Sequence, residues 1–375
     1  MIDAATSLIG RGVTVADTCR IVACDVMLGD EVVIEDGVTI SCDRLQVGAR
    51  TRIGAGTHVI CPDVRLGEAC TIGQRLHAEL NERWSLGRLG EIGHDVRITG
   101  LSMDAGDYLW LTDSVIVGGG GARGPHASLT IGARSAIMDR CFINLSEPVT
   151  IGSDTALSNG VTILTHSLWQ PALFGGTTIF AATHIGSRNI LYVNAIIAPG
   201  VTTGDDVTVA AGALVLQDVP DGATAVGNPA RIVRSARASR RELNPKRQDA
   251  IVRDALQTYA EALPVKGARV EDVSSQNSLV VTLDAVRQVI RYFPPDEPSG
   301  DSADITLGFD DAPGRAGRCH FNLSACTMTG EPSTLSEDLR DHLRRRTIRI
   351  FTDRPFRPLP PANLARLRER LRRQP

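Results

Sequence analysis

A six-residue period constrains this chain more than any other feature. From Ile185 the sequence runs IGSRNI, LYVNAI, IAPGVT, TGDDVT, VAAGAL, VLQDVP. The first position of the blocks is Ile185, Leu191, Ile197, Thr203, Val209 and Val215, and the fifth is Asn189, Ala195, Val201, Val207, Ala213 and Val219. The same pattern covers IGRGVT (9–14), VADTCR (15–20), LGDEVV (28–33), IEDGVT (34–39), VGARTR (47–52), IGAGTH (53–58), LGEACT (66–71) and IGHDVR (92–97). It returns in IGARSA (131–136), IMDRCF (137–142), IGSDTA (151–156) and LSNGVT (157–162). Self-similarity at this period signals a β-helix, in which each block is one short strand and a corner. Position one should point inward and stack on its counterpart about 18 residues later, three blocks to a coil. Position five also points inward and must be small. Glycine at position two should supply backbone angles that other residues resist.

These blocks, with the ending DVPDGATAVGNPARIV (218–233), resemble the hexapeptide-repeat acyltransferases. The resemblance implies a mainly β protein built on a left-handed parallel β-helix. The handedness comes from the resemblance alone, since parallel crossovers generally favour the right hand. The expected organisation is a β-helical domain over 1–235, a helical linker over 236–263 and a small α+β domain over 264–375. Interruptions are expected at 74–90, as a short projecting helix, at 99–130, and at 166–184. Within the second, GGGGARG reads as a wide turn rather than a phosphate loop, because no P-loop lysine follows. The C-terminal part reads as strand 278–283, helix from Asp284, strands 304–309 and 319–325, helix 335–346, strand 347–353 and helix 362–371.

Composition bounds the compartment and the partners. No run is long and apolar enough to cross a bilayer, and the start MIDAATSLIGRG lacks a signal-peptide pattern, so a cytoplasmic protein is expected. The eight cysteines show no CxxC motif, and Cys19, Cys70 and Cys141, at inward fifth positions, read as small buried hydrophobes. Net charge is −3, yet residues 340–375 hold twelve Arg against Asp341, Asp353 and Glu369. No nucleic-acid partner is expected. The last helix, with Leu364, Leu367 and Leu371 on one face, reads as docked on the small domain. An anionic sugar nucleotide, a carrier protein or a membrane surface are the other readings.

The stretch NGVTILTHSLW (159–169) followed by HIGSRNILYVNAIIAPGV (184–201) is similar to the maltose, galactoside and polysaccharide O-acetyltransferases of that family. By this resemblance His166 is the general base and Asn159 lies near the acyl site, while Trp169 walls the acceptor pocket. The resemblance places acyl-coenzyme A, acetyl-CoA first, along Tyr192, Val193, Ala211, Gly212, Ala213, Asn228, Pro229 and Arg231. The Tyr192–Val193 backbone would hold the oxyanion and Arg231 would meet the phosphates. It implies a homotrimer acting on a hydroxyl or amine of a sugar or small metabolite. Tyr192 and Gln217 depart from the family pattern, and Asn189 at an inward position requires hydrogen-bond partners. The alternative is a non-catalytic β-helical scaffold whose C-terminal domain binds. No metal is expected, because no pair of histidines has the spacing of the zinc carbonic anhydrases that share the fold.

Overall fold

The computed structural model describes residues 1–167, 171–234, 243–272, 277–300, 303–311 and 317–372. It divides into two compact units, Met1–Arg241 and Glu242–Pro375. The first is the expected left-handed parallel β-helix. Short parallel strands stack coil on coil from Ile2–Ile9 to Ala223–Val226, and Arg231–Arg234 returns antiparallel on the last of them. No helix among the described residues is long and apolar enough to cross a membrane.

Two faces of each coil keep the six-residue spacing and the third does not. Leu28, Ile34 and Ile40 are six apart, as are Leu66, Ile72 and Ala78, and Ile151, Leu157 and Ile163; all nine are buried. The third face takes seven residues from Ile21 to Leu28, eight from Ala78 to Leu86, 14 from Val117 to Ile131, 22 from Ile163 to Ile185, and six from Ile197 to Thr203. Partners therefore stand 18 apart only near the end, as in Leu191↔Val209. Earlier coils need 19, as in Ile34↔Ile53. This corrects the uniform period.

The expected interruptions shrink accordingly. Residues 74–90 hold no helix: the ten-residue strand His77–Leu86 continues the stack and absorbs its extra residues in a bulge between Leu80 and Arg83. Across 99–130 the coil also continues, through Arg97–Ala105, Trp110–Leu111 and Ile116–Gly118, and only the turn after Gly118 leaves it. After His166 the chain departs as a small hairpin, Ile179–Phe180 returning antiparallel to His166–Ser167.

The glycines at position two have a different cause from the expected one. Gly48 and Gly67 do not adopt positive φ. A Cβ on Gly48 would lie 2.6 Å from Glu68 N and Gly67 C, and one on Gly67 would lie 2.6 Å from Arg88 N and Gly87 C. Close approach of successive coils excludes the side chain. The left-handed backbone falls at position four, where Arg134, Asp154 and Arg188 have φ of 58–59°. Each lends its N–H to the coil before it, as Asp154 does to Ala133 O at 2.9 Å.

Fifth positions are buried as expected, including Cys19, Cys70 and Cys141, and the described cysteines are free thiols. Burial pushes Cys70 and Cys141 up to about 11. Asn189, 2% exposed, is satisfied: Nδ2 donates to Thr203 Oγ1 (2.8 Å) and Gly204 O (2.9 Å), and Oδ1 accepts from Val207 N (2.6 Å).

The second unit is a six-stranded mixed sheet in the order Arg269–Asp272, Ser278–Leu283, Val286–Tyr292, Ile305–Gly308, Cys319–Asn322, Thr327–Gly330. Helices α1 (Pro245–Ala262), α2 (Thr334–Arg345) and α3 (Ala362–Arg372) complete it. Helix α1 is not a linker, because Val252, Ala255, Leu256 and Tyr259 share one core with Leu335, Leu339 and Leu343 of α2. The helix expected from Asp284 is a strand instead, since Asp284 and Ala285, both at positive φ, turn the chain into a hairpin. Residues 347–353 form no strand. Leu364 and Leu367 of α3 are exposed rather than docked.

Two measurements check this reading. In denaturant titrations Gly67→Ala should cost about 1–3 kcal/mol or more through forced separation of coils. Arg140→Gly, at a φ of 59°, should be neutral or stabilising by up to about 1 kcal/mol. In the second unit, burial, with Arg346 and Lys266 nearby, pulls His342 from 6.5 down to about 4, although its bond to Ala255 O and Asp338 oppose the shift. The unfolded chain therefore binds this proton first. The stability His342 contributes is complete above pH 6.5 and is lost as pH falls toward 4. His342→Gln should flatten the thermal stability of the second unit across that window.

Candidate active site

The Gly118 turn and the His166 hairpin leave the same face with one coil between them, and Asn144 and Ser146 on that coil touch both. Strand Ile116–Gly118 pairs with Phe142–Asn144, which pairs with Thr162–Ile163. Asn144 is thus brought beside the chain leading into His166. Its side chain is 1% exposed. Asn144 Nδ2 donates to Gly118 O (3.3 Å) and Gly120 O (3.2 Å), which leaves Oδ1 facing His166 Nδ1 at 2.8 Å. Ser146 Oγ lies 2.7 Å from the same nitrogen and gives its own proton to Gly120 O at 2.6 Å. Thr165 Oγ1 accepts from Ser146 N at 2.9 Å and donates to Asn144 Oδ1 at 2.6 Å.

This network assigns the imidazole. Both groups at Nδ1 are acceptors, so Nδ1 carries the proton and Nε2 keeps its lone pair. Phe180 stacks on the ring, with centroids 5.8 Å apart and planes at 28°. His166 is half-buried, so Nε2 is held in orientation yet reachable. The glycines of the turn are needed for this contact. A Cβ on Gly118 would lie 2.5 Å from Thr99 O, and one on Gly121 2.4 Å from Ser146 Oγ. The turn acts as a buttress whose carbonyls fix Asn144 and Ser146.

The other residues expected at the site divide into groups. Asn159 stands at the corner before Thr162–Ile163 and His166 at the corner after it, so one strand face separates them. The hydrogen bonds described for Asn159 involve its backbone: its carbonyl accepts from Asn194 N at 3.0 Å. Tyr192, Val193, Ala211, Gly212 and Ala213 do come together, stacked above Asn159 in one column of corners, where Gly212 N donates to Val193 O at 2.9 Å. Asn228, Pro229 and Arg231 join that column at its end: Leu214 N donates to Gly227 O and Ala230 N to Leu214 O. Tyr192 and Val193 are 44% and 42% exposed. The Tyr192 N–H is already committed to Val209 O at 2.9 Å, so it is not free to hold an oxyanion. Trp169 lies outside the described residues.

Sequence reading missed Asn144, Ser146 and Thr165. The one available signal was a polar pair inside a block whose third face runs eight residues, from Ile143 to Ile151. Asn144 reaches a histidine 22 positions away only through coil stacking.

The fold is a parallel β-helix built on hexapeptide repeats. No family model matches the chain. Over 98 residues it is 37% identical to YvoF of Bacillus subtilis, named an acetyltransferase, covering 26% of this chain and 54% of that one. Over 95 residues it is 34% identical to the serine acetyltransferase of Helicobacter pylori, covering 24% of this chain and 53% of that one. The chain thus spans about half the length of these curated relatives. Among solved structures it is similar to the hexapeptide-repeat acetyltransferase VCA0836 of Vibrio cholerae in complex with acetyl-CoA, with 23% identity, a TM-score of 0.23, and coverage of 39% of this chain and 70% of that one.

Nuclear magnetic resonance checks the assignment. Ring ¹H–¹⁵N correlations of His166 should report an Nδ1–H tautomer with unprotonated Nε2 in the intact protein, and a tautomer mixture in Asn144→Ala.

Proposed function

We propose that the protein moves an acyl group, acetyl first, from acyl-CoA to a hydroxyl or amine of a sugar or small metabolite, with His166 as general base. The observation that carries this reading is the anchored Nδ1, which leaves a fixed lone pair on Nε2. Nε2 accepts the proton of the acceptor O–H or N–H as that atom attacks the thioester carbonyl. The tetrahedral oxyanion needs a backbone N–H, for which Val193 is available. Collapse expels the coenzyme A thiolate, which recovers the proton from the imidazolium. A positioned base of this kind contributes about 10²–10⁴-fold.

The coenzyme would lie along the corner column, with Ala211–Ala213 close to the pantetheine and the exposed Arg231 at the phosphates. His166 and that column occupy different corners of the coil. A site containing both needs the edge of one chain laid against the edge of another, and this motivates the homotrimer.

His166→Ala should bind acetyl-CoA as the parent does but lose about 10²–10⁴-fold in turnover. Near-normal turnover in that variant would remove His166 from the mechanism. Light scattering should give three times the 40.1 kDa chain mass, whereas a monomer would contradict a shared site. A chain that binds no acyl-CoA at all would favour the scaffold reading.

A further inference from the structure

Three half-buried side chains early in the β-helix face one another without serving the transfer reaction. His58 and His77 are direct partners in the parallel pairing of His58–Ile60 with His77–Leu86. Their rings stack with centroids 5.2 Å apart and planes at 20°. Glu79 lies two residues beyond His77 on the same strand, hence on the same face, and its Oε1 is 3.1 Å from His77 Nε2. One ligand atom from each of the three lies within 4.8 Å of the other two.

We propose that His58, His77 and Glu79 form a binding site for a divalent transition metal of the zinc class. Two imidazoles and one carboxylate are the donor set such ions take, at about 2.0–2.2 Å each, with a fourth position left to water. Side-chain torsions alone can draw the atoms onto one ion. His58 is already oriented for ligation, because its Nδ1 is 2.7 Å from Thr39 Oγ1, and donation there leaves Nε2 as the free donor. Metal-bound histidines generally have their second nitrogen engaged in this way. The competing cations are weakly placed. Arg123 approaches Glu79 only to 3.7 Å and is 86% exposed. Arg97, the next residue of the column after His77, is also exposed and can swing away.

The site bridges two coils and lies three coils before Asn144, about 14 Å along the stack at the usual strand spacing. It therefore acts as a staple between coils rather than as part of the proton transfer, and it does not rest on the acyltransferase reading. Sequence spacing hid it because the two histidines are 19 apart, which aligns them only when the third face takes seven residues.

The test uses the full chain, freed of metal by a chelator and titrated with Zn²⁺ by calorimetry and with Co²⁺ by absorption. The expected result is one equivalent per chain, visible Co²⁺ bands of a four-coordinate nitrogen–oxygen site, and a rise in melting temperature with added Zn²⁺. The His58→Ala/His77→Ala variant should melt as the metal-free parent does, bind no metal and show no rise, while Glu79→Gln should bind at least tenfold more weakly. Absence of saturable binding overturns the proposal. So does binding that survives the double substitution, or a near-ultraviolet thiolate-to-metal band, which would assign the metal to the free cysteines.

Discussion

Every feature of the first unit depends on how closely one coil sits on the next. Backbone hydrogen bonds between parallel coils set that distance, and glycine at position two permits it. A Cβ there would meet the backbone of the following coil at less than 3 Å, as at Gly48 and Gly67. With the distance fixed, inward aliphatic residues align into continuous columns, and a column has no local substitute for a missing member. The left-handed corners at position four cost about 1–2 kcal/mol each for a residue such as Arg188. They persist because each corner N–H finds a carbonyl on the neighbouring coil and each flanking inward residue is buried.

The same stacking converts sequence distance into contact. Asn144, Thr165 and His166 are brought together by pairing between coils, and the Gly118 turn supplies the carbonyls that decide which way the Asn144 amide points. The tautomer of His166 thus follows from a chain of donors and acceptors that begins at a glycine turn. The corner residues from Tyr192 to Arg231 assemble by a separate route along another edge.

The period made the β-helix legible, with its inward positions and its end. His166 and the corner residues were singled out through resemblance rather than physics. What escaped lies on the variable face. The uniform 18-residue coil hid the His58–His77 pairing and the reach of Asn144, and it turned the strand His77–Leu86 into a helix. In the second unit no period was available. Asp284 and Ala285 do not advertise a left-handed turn by residue type, and the polar run after Val286 concealed a strand. Helix α1 looked like a linker because a helix alone does not reveal which core it joins.

Two faces of the coil tolerate no change in length, whereas the third ranges from four residues, between Val215 and Val219, to 22. The buttress turn and the histidine hairpin are both expansions of that third face, with the coil that carries Asn144 and Ser146 between them. Such a scaffold separates heredity of architecture from heredity of chemistry. Insertions and deletions on the permissive side leave the columns in phase, so lineages can lengthen, shorten or exchange that side while the prism beneath stays the same. New specificities in such a protein should arise there by changes in loop length before they arise by substitution.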